Sequence, residues 1–322
     1  MILWCMICVF AMKANTQIPG SQQYKYIFTV AKDGSGNFKT VQEAINAVPD
    51  LRKNQTVIFV KNGVYKEKLN LPSTKQNVKL IGQNVDSVIL TYDDYASKKN
   101  IFGEEIGTTG SASFFVHGDG FVAENITFEN SSGPVGQAVA VRTAADKIKF
   151  INCKFLGFQD TLYTWGYGAS SRQYYKNCYI EGTTDFIFGS STAVFDGCTI
   201  YGKTGGQYLT AASTPDTARF GYVFMNCKIK GDPQASYYLG RPWRNYAKTV
   251  FVRCELDVII RPEGWHNWGK PDAEATTFYA EYKNYGAGAR PSQRVPWSHQ
   301  LTKEQAKQYT LSNIFSGWDV TE

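Results

Sequence analysis

The stretch "RQYYKNCYIEGTTDFIFG", residues 172–189, holds a cysteine in an apolar–polar alternation and then an aspartate heading an aromatic run. Its first half recurs. "FINCKF" surrounds Cys153, "YKNCYI" Cys178, "FDGCTI" Cys198, "FMNCKI" Cys227 and "FVRCEL" Cys254, at spacings of 25, 20, 29 and 27 residues. "AENITF" around Thr127 fits the same frame one step earlier. A recurrence of strand-and-turn character at about 20–30 residues marks a solenoid. The leucine lattice of leucine-rich repeats is absent, and the pattern predicts an all-β, single-stranded right-handed parallel β-helix. Equivalent side chains then stack from coil to coil. The cysteines become a ladder of buried thiols, small apolar fillers rather than disulfides. Among these five cysteines no Cys-x-x-Cys pair offers a zinc site, and Cys5 and Cys8 fall within the apolar N-terminal run.

The composition agrees. In 322 residues there are 29 Gly, 20 Tyr and 20 Phe, which favours strands and turns over helices. The net charge of +6 suits an acidic substrate, though solubility explains it equally well. No motif supports nucleic-acid binding. "MILWCMICVFAMKA", residues 1–14, is too short to span a bilayer and reads as a signal peptide lacking a basic leader, or else as a truncated start. On the signal reading the chain is secreted or periplasmic, with no membrane partner. Residues 25–322 form one domain. "TVQEAINAV" (40–48) predicts a short helix capping the first coil, and "LTKEQAKQYT" (301–310) a second helix with Thr302 as N-cap, packed along the outside.

The second half of the opening stretch also has a partner. "GFQDTLY" (157–163) places Asp160 in a near copy of the setting of Asp185, 25 residues on, the same interval as Cys153 to Cys178. Residues one coil apart stack at about 4.8 Å. Two carboxylates so close among aromatics titrate in coupled steps, and provide an acid with a base or a nucleophile at one pH. The plainer reading is a pair of turn aspartates, as expected for Asp33, Asp119 and Asp196 beside glycines. Gln137 lies 22 residues before Gln159, so two amides stack beside the carboxylates and offer oxyanion donors. Arg241 in "LGRPW" can hold one aspartate ionised, whereas Arg244 reads as a surface residue. Tyr163, Phe188, Trp243, Trp265 and Trp268 suit either a core or a groove that stacks on sugar faces. There is no Gly-x-Ser-x-Gly elbow, P-loop, dinucleotide fingerprint or His-Glu-x-x-His motif. "HGDG" at His117 reads as a turn. No metal and no cofactor is expected.

With "GQAVAVR", "GFQDTLY", "TTDFIFG", "LGRPW" and "EGWHNW" in this order, the chain resembles the pectin methylesterase (pectinesterase) family over residues 27 to 318. The resemblance implies a β-helix that hydrolyses methyl esters of polygalacturonate. In it Asp185 is the nucleophile, Asp160 the acid and base, and Gln137 and Gln159 the oxyanion donors. Arg241 orients Asp185, and Tyr163, Phe188, Trp243 and Trp265 or Trp268 line the sugar groove. The implied partner is methyl-esterified pectin, bound by a monomer. Thr184 stands where the family often has valine or alanine, and "TWGYGASS" (164–171) is longer than usual. "LTAASTPDT" replaces a Gln-Gly-Arg common in plant members and points to the bacterial type. No long inhibitor region precedes the motifs. A polygalacturonase would need clustered aspartates with a Gly-His-Gly histidine, and a pectate lyase a calcium-binding carboxylate cluster; neither pattern is visible. The same residues also fit a non-catalytic carbohydrate-binding solenoid or an acyl-thioester hydrolase. Asn54, Asn125 and Asn130 head glycosylation sequons.

Overall fold

The computed structural model describes residues 27–166 and 171–321. The proposed signal segment and part of the 164–171 loop lie outside them. Short strands alternate with corners, and each strand pairs in parallel with its equivalent one coil away. The described residues form three sheets of eleven, seven and eight strands. One coil illustrates the rule. Arg172–Lys176 lies in the long sheet, Tyr179–Gly182 in the eight-stranded sheet and Thr184–Gly189 in the seven-stranded sheet. The expected β-helix is the observed architecture.

The repeated sequence explains the corner between the first two sheets. Asn152, Asn177, Asn226 and Arg253 adopt φ of 50°, 52°, 53° and 54°, and Gly197 takes φ 63°. Each immediately precedes a ladder cysteine. Asparagine and glycine tolerate the left-handed region best, and one such residue turns the strand sharply enough to start the next face. The asparagines also stack, with Asn152 Nδ2 donating to Asn125 Oδ1 at 2.6 Å.

Behind the corner the five cysteines are free and buried. Their thiols donate to carbonyls of the preceding coil, as Cys178 Sγ to Phe150 O at 3.4 Å and Cys227 Sγ to Phe195 O at 3.2 Å. The residue three before each cysteine builds a second ladder. Phe150, Tyr175, Phe195, Phe224 and Phe251 stack face to face with centroids 4.4–5.2 Å apart. Such aromatic pairs contribute about 0.5–1.5 kcal/mol each beyond their burial. One detail of the predicted frame shifts. Thr127 pairs with Lys154, so Ile126, not Thr127, occupies the slot of the cysteines.

Both ends are capped. Val41–Ala47 is helical, with Thr40 and Glu43 forming a capping box and Val41, Ala44 and Ile45 buried against the first coil. At the other end the helix covers Lys303–Ala306, shorter than the sequence suggests, with Thr302 and Gln305 forming the expected box. A further helix, Leu311–Phe315, follows. Tyr309, Ile314 and Phe315 pack on Tyr174, Val194 and Val223 of the outer face of the long sheet. Among the described residues no helix is long and apolar enough to cross a membrane.

Because the thiols are fillers, Cys198→Ala should cost about 1 kcal/mol through the void it leaves. The wild-type melting temperature should be the same with and without reductant, and a large reductant-dependent drop would refute the thiol ladder.

Candidate active site

The seven-stranded sheet carries the candidate site on its outer face. Leu162, Tyr163 and Thr164 pair with Ile187, Phe188 and Gly189, a constant offset of 25 residues. The same register puts Asp160 beside Asp185, and Asp160 N donates to Thr184 O at 3.1 Å. The stacking read from the sequence is therefore present.

The backbone at both aspartates was not foreseen. Asp160 has φ 68° and Asp185 φ 51°, both in the left-handed region. Asp185 also lies in a bulge, since Thr184 pairs with Tyr208 but Ile187 with Thr210. One extra residue re-aims the side chain out of the alternating pattern and into the cleft. Bulge and left-handed backbone are tolerated because the flanks are fixed. Thr161 Oγ1 donates to Phe158 O and Glu181 O, at 3.1 and 2.9 Å. Gly189, at φ 127°, lies so close to the neighbouring coil that an added Cβ would sit 2.1 Å from Thr164 O. The glycine of "DFIFG" is thus required by close approach.

The two carboxylates differ in their partners. Asp185 receives a bidentate pair from Arg241, Nε to Oδ1 at 2.9 Å and Nη2 to Oδ2 at 2.7 Å. That guanidinium is clamped between the rings of Tyr208, 3.8 Å away, and Trp268, 3.6 Å away. Among the described residues Asp160 has no ion-pair partner, and the Gln137 side chain beside it favours its charged form. Burial, then the neighbouring charge of Asp185, push Asp160 well above the usual carboxylate range, against Gln137 and Arg241. Burial also raises Asp185, but Arg241 and then Lys270 oppose it. The pair is therefore polarised: both carboxyls are raised, Asp160 further than Asp185, and Asp185 meets Arg241.

A cleft of about 480 Å³ opens over these groups. Gln137 and Gln159, which pair along the backbone, line it beside the carboxylates. Tyr163 and Phe188 stack at 4.2 Å on its floor, and Trp243 and Trp268 complete the apolar wall. Trp265 is not part of it. Its ring is 1% exposed and stacks on Tyr279 inside the coil at 4.4 Å. The turn explains the divergence of the two tryptophans. Trp268 takes φ 60°, and its N–H donates to His266 Nδ1 at 2.9 Å, which turns its side chain outward. Arg294 anchors this segment from behind: it pairs with buried Glu281 at 2.7 Å and donates to the carbonyls of Arg261 and Pro262.

Arg244 is exposed, as expected of a surface residue. Asp33 accepts from Ser35 within its own turn, whereas Asp119 and Asp196 accept across coils, from Asp146 N and the Tyr174 hydroxyl. His117 lies outside the cleft lining. The sequence reading missed the wall formed by Gly107, Thr108 and Thr109, and the support of Arg241 by Tyr208. The wall belongs to a long connection between Val88–Tyr92 and Phe114–Val116. Its length and lack of repeat pattern were the available signals. Among the described residues no group of three side chains is arranged to hold a metal ion.

A parallel β-helix with two stacked aspartates, one of them arginine-paired, under an amide-lined cleft fits an ester hydrolase. The chain belongs to the pectinesterase family, whose model matches residues 27–318. It is 42% identical over 286 residues to Pectinesterase 31 of Arabidopsis thaliana, covering 86% of this chain and 88% of that protein. It spans about half the length, 48% and 52%, of two Arabidopsis pectinesterase/pectinesterase inhibitor proteins. Among solved structures, pectin methylesterase from carrot superposes with a TM-score of 0.82 at 37% identity, covering 90% of this chain and 93% of that one. PemA from Erwinia chrysanthemi gives 0.79 at 28% identity, covering 93% and 99%. A pectin methylesterase in complex with a hexasaccharide gives the same score, identity and coverage. Identity is higher to these plant proteins than to the bacterial one, so the bacterial-type character read at residues 209–217 does not extend to the whole chain.

A buried carboxyl with a raised pKa lowers stability as pH rises. Below the unfolded value near 3.8, Asp160 is protonated in both states and costs little. Above it the unfolded chain releases the proton while the folded chain holds it, so stability falls until the folded value is passed. Asp160→Asn should therefore melt higher than wild type at pH 7, and the difference should shrink towards zero below about pH 4. A variant that melts lower at pH 7 would contradict the polarised pair.

Proposed function

We propose that this chain hydrolyses methyl esters of galacturonate in pectin, releasing methanol and pectate, with Asp185 as nucleophile and Asp160 as acid and base. One observation carries the reading: the two aspartates stand one coil apart, and Arg241 pairs with Asp185 alone. The Asp185 carboxylate attacks the ester carbonyl carbon. The carbonyl oxygen becomes an oxyanion, and the amide N–H groups of Gln137 and Gln159 stabilise it. As the tetrahedral intermediate collapses, the C–O bond to the methoxy group breaks and Asp160 supplies the proton that makes methanol. The acyl group now rests on Asp185 as an anhydride. Asp160, ionised, takes a proton from water, the hydroxide attacks the acyl carbon, and Asp185 leaves as carboxylate. Both aspartates return to their starting states.

The aromatic floor and wall suit the apolar faces of a sugar ring, and the relative that binds a hexasaccharide shares this fold. Both carboxylates, Arg241 and the cleft aromatics come from one chain, which supports action as a monomer. The apolar run at residues 1–14 and a polymeric wall substrate together support a secreted or periplasmic location.

Methanol release from highly esterified pectin tests the proposal. Asp185→Asn should lower kcat/KM by about 10³-fold or more, and chelator should leave wild-type release unchanged. Chain cleavage that depends on a chelatable metal, with no methanol, would replace the esterase reading with a lyase one.

A further inference from the structure

The sequon Asn130-Ser131-Ser132 is heavily used by the folded structure. Asn130 is 3% exposed. Its Nδ2 donates to Asp94 O at 2.8 Å and Val139 O at 3.0 Å, with Ser111 O at 3.4 Å as a longer third acceptor. Its Oδ1 accepts from Ser132 N at 3.1 Å. Asp94 and Ser111 lie at the two ends of the excursion that supplies Gly107–Thr109 to the cleft, and Val139 lies two residues beyond Gln137. One side-chain amide thus joins three separate segments.

We propose that Asn130 is a positioning residue that holds the Gly107–Thr109 wall and Gln137 in register over the aspartates, and that this sequon is closed to glycosylation. The inference rests on the esterase reading given above. Short hydrogen-bond paths connect the pin to the site. Ser111 Oγ donates to Thr108 O at 2.8 Å and accepts from Val139 N at 3.2 Å. Ala96 N donates to Gln137 O, and Gly107 N to Ala96 O, both at 2.8 Å. At the far end Gln137 and Thr109 line the cleft together with Asp160 and Tyr163. Loss of the pin frees the wall and the Gln137 backbone together. A glycan would replace a donor hydrogen of Nδ2 in a space with no access to solvent. The sequon at Asn54, by contrast, is on an exposed loop.

The test compares wild type, Asn130→Asp and Ser132→Ala made in bacteria, where no glycan is added. Asn130→Asp keeps the size but turns an oxygen towards the carbonyls; Ser132→Ala destroys the sequon and keeps the pin. Asn130→Asp should lose about 10-fold or more in kcat per folded molecule, with a smaller change in KM, since small misplacements around reacting groups are costly. Its pH–rate limb set by Asp160 should move upward as Gln137 shifts away. Amide exchange should quicken at Ala96, Gly107 and Val139 but not around Cys198. Ser132→Ala should match wild type. A lower melting temperature with kcat and pH profile intact would reduce Asn130 to a structural role and overturn the proposal. Where Asn130→Asp does not fold, Asn130→Ser, whose shorter side chain cannot reach all three carbonyls, should show the same kinetic shift, and unchanged kinetics there would overturn it equally. If wild type releases no methanol, the esterase reading fails, and the exchange pattern alone decides the pin. Secretion from a eukaryotic host, with the site of any glycan located to distinguish Asn130 from the Asn125 sequon in the same peptide, should return Asn130 unmodified; a glycan carried on Asn130 in active enzyme would refute the closure.

Discussion

Parallel pairing sets one coil directly on the next, at a spacing of about 4.8 Å that no side chain can alter. The closeness of Asp160 and Asp185 follows from that constraint. Where two coils each offer an aspartate at the same rung, the carboxylates meet whether or not their charges repel. The fold tolerates the repulsion because many rungs above and below hold it: thiols, stacked aromatics and left-handed corners continue through the chain. A solenoid spreads stability over nearest-neighbour contacts, so one unfavourable rung does not undo the rest.

That rung is unfavourable in a way that suits chemistry. Asp160 and Asp185 are both buried, yet only Asp185 meets Arg241. The guanidinium is fixed by Tyr208 and Trp268, so the asymmetry is built into the resting state. The two carboxyl groups therefore sit in different electrostatic surroundings before any ligand arrives.

Much of this was legible in the chain. The cysteine recurrence specified a coil, and equal spacing of cysteines and aspartates placed the carboxylates together. Local patterns carried these because a parallel ladder converts sequence interval directly into position. Other features were not legible. Trp265 and Trp268 are three residues apart in one motif, yet one packs in the core and the other on Arg241. Ile126 rather than Thr127 filled the cysteine slot, a one-residue question that the cross-coil register decided. The Gly107–Thr109 wall comes from an excursion that follows no repeat.

By itself, then, the sequence determined the coil, the Thr302 cap and the stacking of the two aspartates, because those depend on periodicity and on contacts a few residues apart. Tertiary structure alone decided which tryptophan faces the groove, how the bulge at Asp185 turns its carboxylate outward, and where the Gly107–Thr109 wall meets the cleft. Each of those depends on groups that meet across coils through turns and insertions, where spacing along the chain no longer measures distance in space.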